Sequence, residues 1–130
     1  MRVAYSPRGK PLLPLTLFLG ANSLSLEALL DSGSDLNVLP FRIGHALGAQ
    51  WDSGQPNLQL GGLLAGVVAV PLLVTAKVGE FPEVRLGFAW CRSEEVPLVL
   101  GQINFFMEFD VIFSRARLAF AVTPKGRAQL

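Results

Sequence analysis

Residues 28–39 read Ala-Leu-Leu-Asp-Ser-Gly-Ser-Asp-Leu-Asn-Val-Leu: an apolar run delivers one carboxylate, Asp31, into a tight Ser32-Gly33 turn, and a second apolar run leaves it at 36–39. A carboxylate set among apolar chain is costly to bury unless it is paired, hydrogen-bonded or protonated. An acid with an adjustable proton is what general acid–base chemistry needs. Asp-Ser-Gly is also a plain turn sequence, since all three residues favour turns. About one chain in twenty of this length would carry Asp-Ser/Thr-Gly by chance, so the flanking pattern has to carry the argument. The chain offers only one such turn, and therefore only one such carboxylate.

The other reactive side chains make poorer sites. His45 and Cys91 sit in Gly-His-Ala and Trp-Cys-Arg contexts with no activating motif. Ser32 lacks the Gly-x-Ser-x-Gly setting of a hydrolase nucleophile. With one His and one Cys the chain is short of metal ligands. The glycines at 61, 62 and 66 do not have phosphate-loop spacing, and no Lys-Ser/Thr follows them.

The elements that must position Asp31 read as β structure throughout. Short apolar runs alternate with Gly, Pro, Asn and Ser punctuation, the pattern of an all-β domain. Strands are expected at 13–19 and 23–30, the second alternating until Ala28 and then running wholly apolar into the core. Residues 57–60 and 67–78 read as two strands around a glycine-rich tip. Further strands are expected at 83–90 and 97–100, and a hairpin at 109–113 and 118–122. Residues 41–47 read as a short helix or turn, 102–108 as two helical turns, 50–56 as a loop. The chain is read as one domain, 1–130, with a core over about 12–122 and loose tails at both ends. Trp51, Trp90 and the Phe residues read as core or dimer surface rather than as platforms for stacking bases.

Composition narrows the partners. Hydrophobic residues make up 51% and charged residues 16% of the 130 residues, and the net charge is +1. No basic stripe appears, which argues against nucleic acid. So little charge on a small domain is consistent with apolar surface hidden against a second copy. Cys91 is the only cysteine, which excludes an internal disulfide and points to a reducing, cytoplasmic setting. The N-terminus has no signal-like apolar core. Residues 12–19 are too short to span a bilayer, and the run at 63–76 is interrupted by Pro71 and stopped by Lys77, so it reads as buried strand and no membrane partner is expected.

The order of Leu-Leu-Asp31-Ser32-Gly33-Ser-Asp35, the Gly61-Gly62 turn, Leu98-Val99-Leu100-Gly101, and then a helical segment and a hairpin resembles the retropepsin family of aspartic proteases. The likeness covers roughly residues 12–122 and is to the single-domain, retroviral-type proteins of cellular and bacterial genomes. It implies an all-β, closed acid-protease barrel with one short helix near the C-terminus, acting as a homodimer. The partner of Asp31 is then Asp31 of the second chain. Two carboxylates about 3 Å apart cannot both ionise, so they share a proton that belongs to the pair. The ionised member activates a water and the protonated one donates to the scissile carbonyl.

By the same resemblance Ser32 hydrogen-bonds across the dimer, and Gly33 lets the backbone pass close to the carboxylate. Gly61, Gly62, Leu63 and Leu64 form a flap over a bound peptide. Asp35 and Leu100 join these four in the substrate-binding set. The family's Arg after Leu100-Gly101 is here Gln102, which offers an amide but no charge. That leaves Asp35 to pair with Arg42 or another base, and weakens the expected dimer. The resemblance implies no cofactor and no metal. It implies an endopeptidase acting on extended peptides, with apolar residues beside the scissile bond and best activity at mildly acidic pH. The alternative is a non-proteolytic module of the same fold that binds peptides or dimerises.

Overall fold

A computed structural model of the chain describes residues 1–52 and 54–126. Strands β1 (Arg2–Ala4), β2 (Leu12–Leu19), β3 (Asn22–Leu30) and β4 (Asn37–Leu39) precede helix α1 (Phe41–Ala46). A 3-10 turn at Gly62–Leu64 leads to β5 (Ala69–Lys77), β6 (Val84–Cys91) and β7 (Val99–Leu100). Helix α2 (Phe105–Glu108) and the hairpin β8 (Phe109–Ser114) and β9 (Ala119–Pro124) complete the chain. Strands β2-β3-β7-β4-β6-β5 close into a barrel, while β1-β9-β8 form a separate three-stranded sheet.

Alternation in sequence becomes alternation in burial. Leu13, Leu15 and Leu17 of β2 point into the barrel, and β3 deepens along its length until Ala28 and Leu30 are buried. The two strands meet at Gly20, whose φ of 59° supplies the left-handed conformation of a tight hairpin. Two parallel pairings cross the barrel: Leu29 and Leu30 beside Val99 and Leu100, and Asn37 to Leu39 beside Phe88 to Trp90. They place the end of β3, the start of β4 and the end of β7 side by side, and so fix where Asp31 lies.

One apolar cluster joins the barrel to the three-stranded sheet through Leu13, Leu30, Leu100, Phe105, Phe109 and Phe120. Phe105 stacks on Phe109 at 4.8 Å. Trp90 is core: its ring stacks on Phe41 at 5.4 Å, its Nε1 donates to the Phe41 carbonyl at 3.1 Å, and it covers Gly44 so closely that a Cβ there would overlap the indole. A second cluster, including Val38, Val96 and Val99, lies on the other side of β4 and β7.

The structure departs from the sequence reading in four places. Residues 57–60 are not a strand. Leu58 and Leu60 pack on the second cluster, but among the described residues the one ladder-like bond there runs from the Leu58 amide to the Ala69 carbonyl, so their alternation records a buried face rather than pairing. The N-terminal tail is not loose: Arg2 to Ala4 pair with Ala121 to Ala119, and Met1 and Val122 exchange two backbone bonds. The C-terminal residues 123 and 124 extend β9, and the rest of the expected loose tail after 126 lies outside the described residues. The expected helical turns at 102–108 shrink to α2 at 105–108, because the amides of Gln102 and Ile103 bond to Ser34 and Asp35 instead of along a helix. Among the described residues no helix is long and apolar enough to cross a membrane.

Cys91 is fully buried, and burial pushes its thiol from an ordinary value of 9.0 up to about 11. At pH 8 an aromatic disulfide reagent should label it only as fast as the fold opens, and at once in denaturant. The raised folded value means the unfolded chain loses this proton first. The stability associated with it is therefore intact below about pH 9 and declines as pH rises through about 11. Thermal melts of the native chain and of Cys91→Ala across this window should differ in slope, the variant lacking this part of the decline.

Candidate active site

The Asp31 turn begins where β3 ends. The Asp31 amide donates to the Leu100 carbonyl at 3.0 Å, so the first residue of the turn is tied to the last of β7. The Ser34 amide closes the turn on the Asp31 carbonyl at 3.1 Å. The Gly33 amide donates to Asp31 Oδ1 at 2.9 Å, which orients the half-buried carboxylate. A Cβ on Gly33 would stand 3.3 Å from that same oxygen, so glycine lets the amide approach it. Ser32, Gly33 and Asp35 are exposed.

A second stretch of backbone lies against this turn. The Gln102 and Ile103 amides donate to the Ser34 and Asp35 carbonyls at 2.8 and 2.9 Å, and the Asn37 amide returns a bond to the Ile103 carbonyl at 3.1 Å. Gly101 must be glycine for this crossing: a Cβ would overlap the Leu36 carbonyl and come within 2.6 Å of the Ser34 carbonyl. Gln102, where the family pattern has Arg, donates from Nε2 to the Ser32 carbonyl at 2.8 Å, bracing the turn by its backbone. Arg42 is not the partner of Asp35. Its amide and guanidinium both face Glu94, at 3.0 and 3.9 Å.

The residue that binds these segments together was not among the expected site residues. Asn37 is the one buried polar side chain among the described residues. Its Oδ1 accepts from the Gly101 amide at 2.8 Å, and its Nδ2 donates to the Gly87 carbonyl at 2.9 Å and to Asn104 Oδ1 at 3.0 Å. Asn104 also accepts from the Gly87 amide and donates to the Arg85 carbonyl. The signal was present in the sequence: a lone amide inside the apolar run 36–39.

Two recesses adjoin on either side of Leu64. The larger, about 450 Å³, is lined by Asp31, Leu63, Val67, Val96 and Val99; the other, about 290 Å³, by Gly33, Asp35, Leu60, Gly61 and Gly62. Ser34, Val38 and Leu64 face both. The fold thus brings Asp31, Gly33, Asp35, Gly61, Gly62, Leu63 and Leu64 to one cleft, with Ser32 exposed in the same turn. Gly62 at φ 61° and Gly66 at φ 87° bend the segment that carries Leu63 and Leu64, and Leu63 is fully exposed.

Leu100 does not belong to this cleft. Successive strand residues face opposite sides, so Val99 lines the recess and Leu100 is buried in the barrel core. The valines at 38, 67, 96 and 99 form the apolar wall that the sequence reading missed, although 99 lies in a run it had marked as strand. Among the described residues no three His, Cys, Asp or Glu side chains converge as metal ligands would. A larger groove of about 600 Å³ lies elsewhere on the barrel, beside Pro14, Thr16, Glu27 and Lys77, and shares no residue with the Asp31 turn.

This architecture is the retropepsin fold. The chain superposes on EIAV protease complexed with the inhibitor HBY-793 with a TM-score of 0.58 and 22% identity, over 77% of this chain and 88% of that one. It superposes on a retropepsin-like aspartic protease from Rickettsia conorii with a TM-score of 0.67 and 12% identity, over 94% and 87%. No protein-family model and no curated protein sequence matches the chain.

Asn37→Asp tests the support of the turn. The carboxylate can still accept from Gly101, but it has no proton for the Gly87 carbonyl or Asn104 Oδ1. Chemical denaturation at neutral pH should show a loss of about 3 kcal/mol. Part of that loss should return in acid, where the introduced carboxyl takes up a proton and regains one donor. Gly101→Ala should cost about 1–3 kcal/mol at any pH, because its clash is with backbone and not with a movable side chain.

Proposed function

We propose that the chain is an aspartic endopeptidase that works as a homodimer. The observation that carries this reading is the Asp31 carboxylate, oriented by the Gly33 amide at the edge of an apolar cleft on a retropepsin fold. One such turn per chain means that a second chain supplies the second carboxylate.

In the proposed reaction the pair holds one proton. The ionised carboxylate takes a proton from a water held between the two, and the oxygen of that water attacks the scissile carbonyl carbon. The protonated carboxylate gives its proton to the carbonyl oxygen, forming a neutral gem-diol. Collapse of that intermediate returns a proton to the pair. The C–N bond breaks as the amine nitrogen takes up the other proton, and the dyad is restored. The segment carrying Gly61, Gly62, Leu63 and Leu64 covers the substrate and excludes water, and Asp35 contacts substrate backbone. Val38, Val67, Val96 and Val99 favour apolar side chains beside the scissile bond. The single buried, unpaired cysteine supports a reducing, cytoplasmic setting.

Mass-spectrometric mapping of a mixed peptide library, from mildly acidic to neutral pH, tests this reading. The native chain should cut between apolar residues with a maximum where the dyad holds one proton. Asp31→Asn, close to isosteric, should keep the fold and oligomeric state while cleavage falls by at least about 10³-fold. Equal cleavage by both proteins, or a rate that climbs steadily into the alkaline range, overturns the assignment.

A further inference from the structure

We propose that the apolar groove between β5, β6 and Ile103 is a second recognition site for the bound peptide, taking one large apolar side chain several residues away from the scissile bond; this rests on the peptide cleft of the proposed function and names a further determinant of its substrate.

The groove measures about 410 Å³, and none of the residues lining it has a polar side chain. Pro71 and Leu73 of β5 stand opposite Ala89 and Gly87 of β6 on one face of the sheet, and Leu36 and Ile103 border them. Leu73 is 51% and Ile103 56% exposed, so two walls keep apolar surface in water. A Cβ on Gly87 would meet no atom within 4 Å, so the groove stays open because that position lacks a side chain.

The polar network behind the Asp31 turn also holds this groove in shape. The Gly87 amide donates to Asn104 Oδ1 at 3.0 Å, and its carbonyl accepts from Asn37 Nδ2 at 2.9 Å. Ile103 is fixed by its backbone bonds to Asp35 and Asn37 and lies beside Leu36 in a parallel bridge. A site formed before binding loses little in ordering when it is filled.

Continuity with the cleft identifies the occupant. The recess beside Asp31 and the one beside Asp35 share Ser34, Val38 and Leu64. The Asp35 recess and the groove share Leu36; Leu58 lines the groove, and the next two residues, Gln59 and Leu60, line the recess. An extended peptide sends every second side chain to one side, about 6–7 Å apart. One side chain in the Asp31 recess puts the next on that side in the Asp35 recess and a third in the groove, about four residues along. A charged side chain there would lose its hydration and find no partner, so the groove selects residues such as Phe, Leu or Met. Two chains related by a two-fold axis offer one groove to each flank of the peptide.

Fluorescence anisotropy on the full chain carrying Asp31→Asn, which binds without cutting, tests this. The probes are labelled peptides of about 16 residues, long enough to pass both grooves. Each has a fixed central Leu-Phe pair and flanks of Ser and Gln, into which a single Phe is placed one position at a time. At one or two neighbouring flank positions the added Phe should tighten binding about tenfold. Gly87→Val, which fills the groove beside Leu73, should remove that gain and leave the peptide with polar flanks unaffected. Leu73→Thr, which takes away one wall, should remove part of it. In the native chain the same Phe should lower KM with kcat unchanged. The groove is overturned if no flank position gains, or if the gain survives both substitutions. It is overturned equally if Gly87→Val shifts the sedimentation of the peptide-free chain, which places a second copy there instead. Cleavage is read separately. A chain that shows the groove-dependent gain yet cuts nothing with Asp31 intact keeps the groove and loses the protease reading. A chain that cuts only with Asp31 intact, yet gains nothing from the added Phe, does the reverse.

Discussion

A buried side-chain amide, Asn37, governs where the carboxylate of Asp31 can be. It bonds at once to the backbone of β6, to the residue after β7, and through Asn104 to the start of α2. Each bond is made away from water, so each would cost about 1–3 kcal/mol if left unmade. Their joint satisfaction selects one arrangement of three chain segments over close alternatives. That arrangement lets residues 101–103 lie across 34–37, the crossing that Gly101 alone can fit. The turn bearing Asp31 is thus clamped from behind by a polar network while its front stays open. An apolar residue at 37 could fill the same space but would specify no such register.

The two apolar clusters divide the labour on either side of this network. Leu100 and Leu30 anchor the turn to the barrel interior, while Val99 and Val38, on neighbouring strands, make the floor of the cleft. The same short strands serve as core on one face and as site on the other. The barrel strands thus supply part of the apolar wall beside the carboxylate, and the loop residues Val67 and Val96 supply the rest. The turn is held chiefly by backbone bonds, and the Gln102 side-chain amide adds one more to the Ser32 carbonyl.

How much of this was legible in sequence follows from the range of each interaction. The barrel strands were readable because alternation and turn residues are local: Leu13, Leu15 and Leu17 announce an inner face, and Gly20 announces the hairpin. The Asp31 turn was readable for the same reason. What failed was pairing. Leu58 and Leu60 alternate as a strand would, yet no neighbouring strand runs alongside them, and sequence carries the face without carrying the ladder. Residues 102 and 103 read as helix because their carbonyl partners, Ser34 and Asp35, lie more than half the chain away in sequence. The assignment of Leu100 to the cleft failed on parity alone, since one step along a strand exchanges core for site.

The N-terminal strand shows how far such non-local pairing reaches along the chain. Because Arg2 to Ala4 pair with β9, that strand is the centre of the three-stranded sheet, whose two edges are β1 and β8. A terminus that read as a loose tail thereby turns β9 from one half of a hairpin into the middle of a sheet. The same sheet shares its inner face with the barrel core through Phe109, Phe120 and Val122, which ties β8 and β9 to the barrel interior. From that element the chain runs back through α2, where the Phe106 amide bonds to the Gly101 carbonyl, directly behind the Asp31 turn. The three-stranded sheet and the Asp31 turn are therefore joined by a short path of hydrogen-bonded backbone, so the position of one constrains the other.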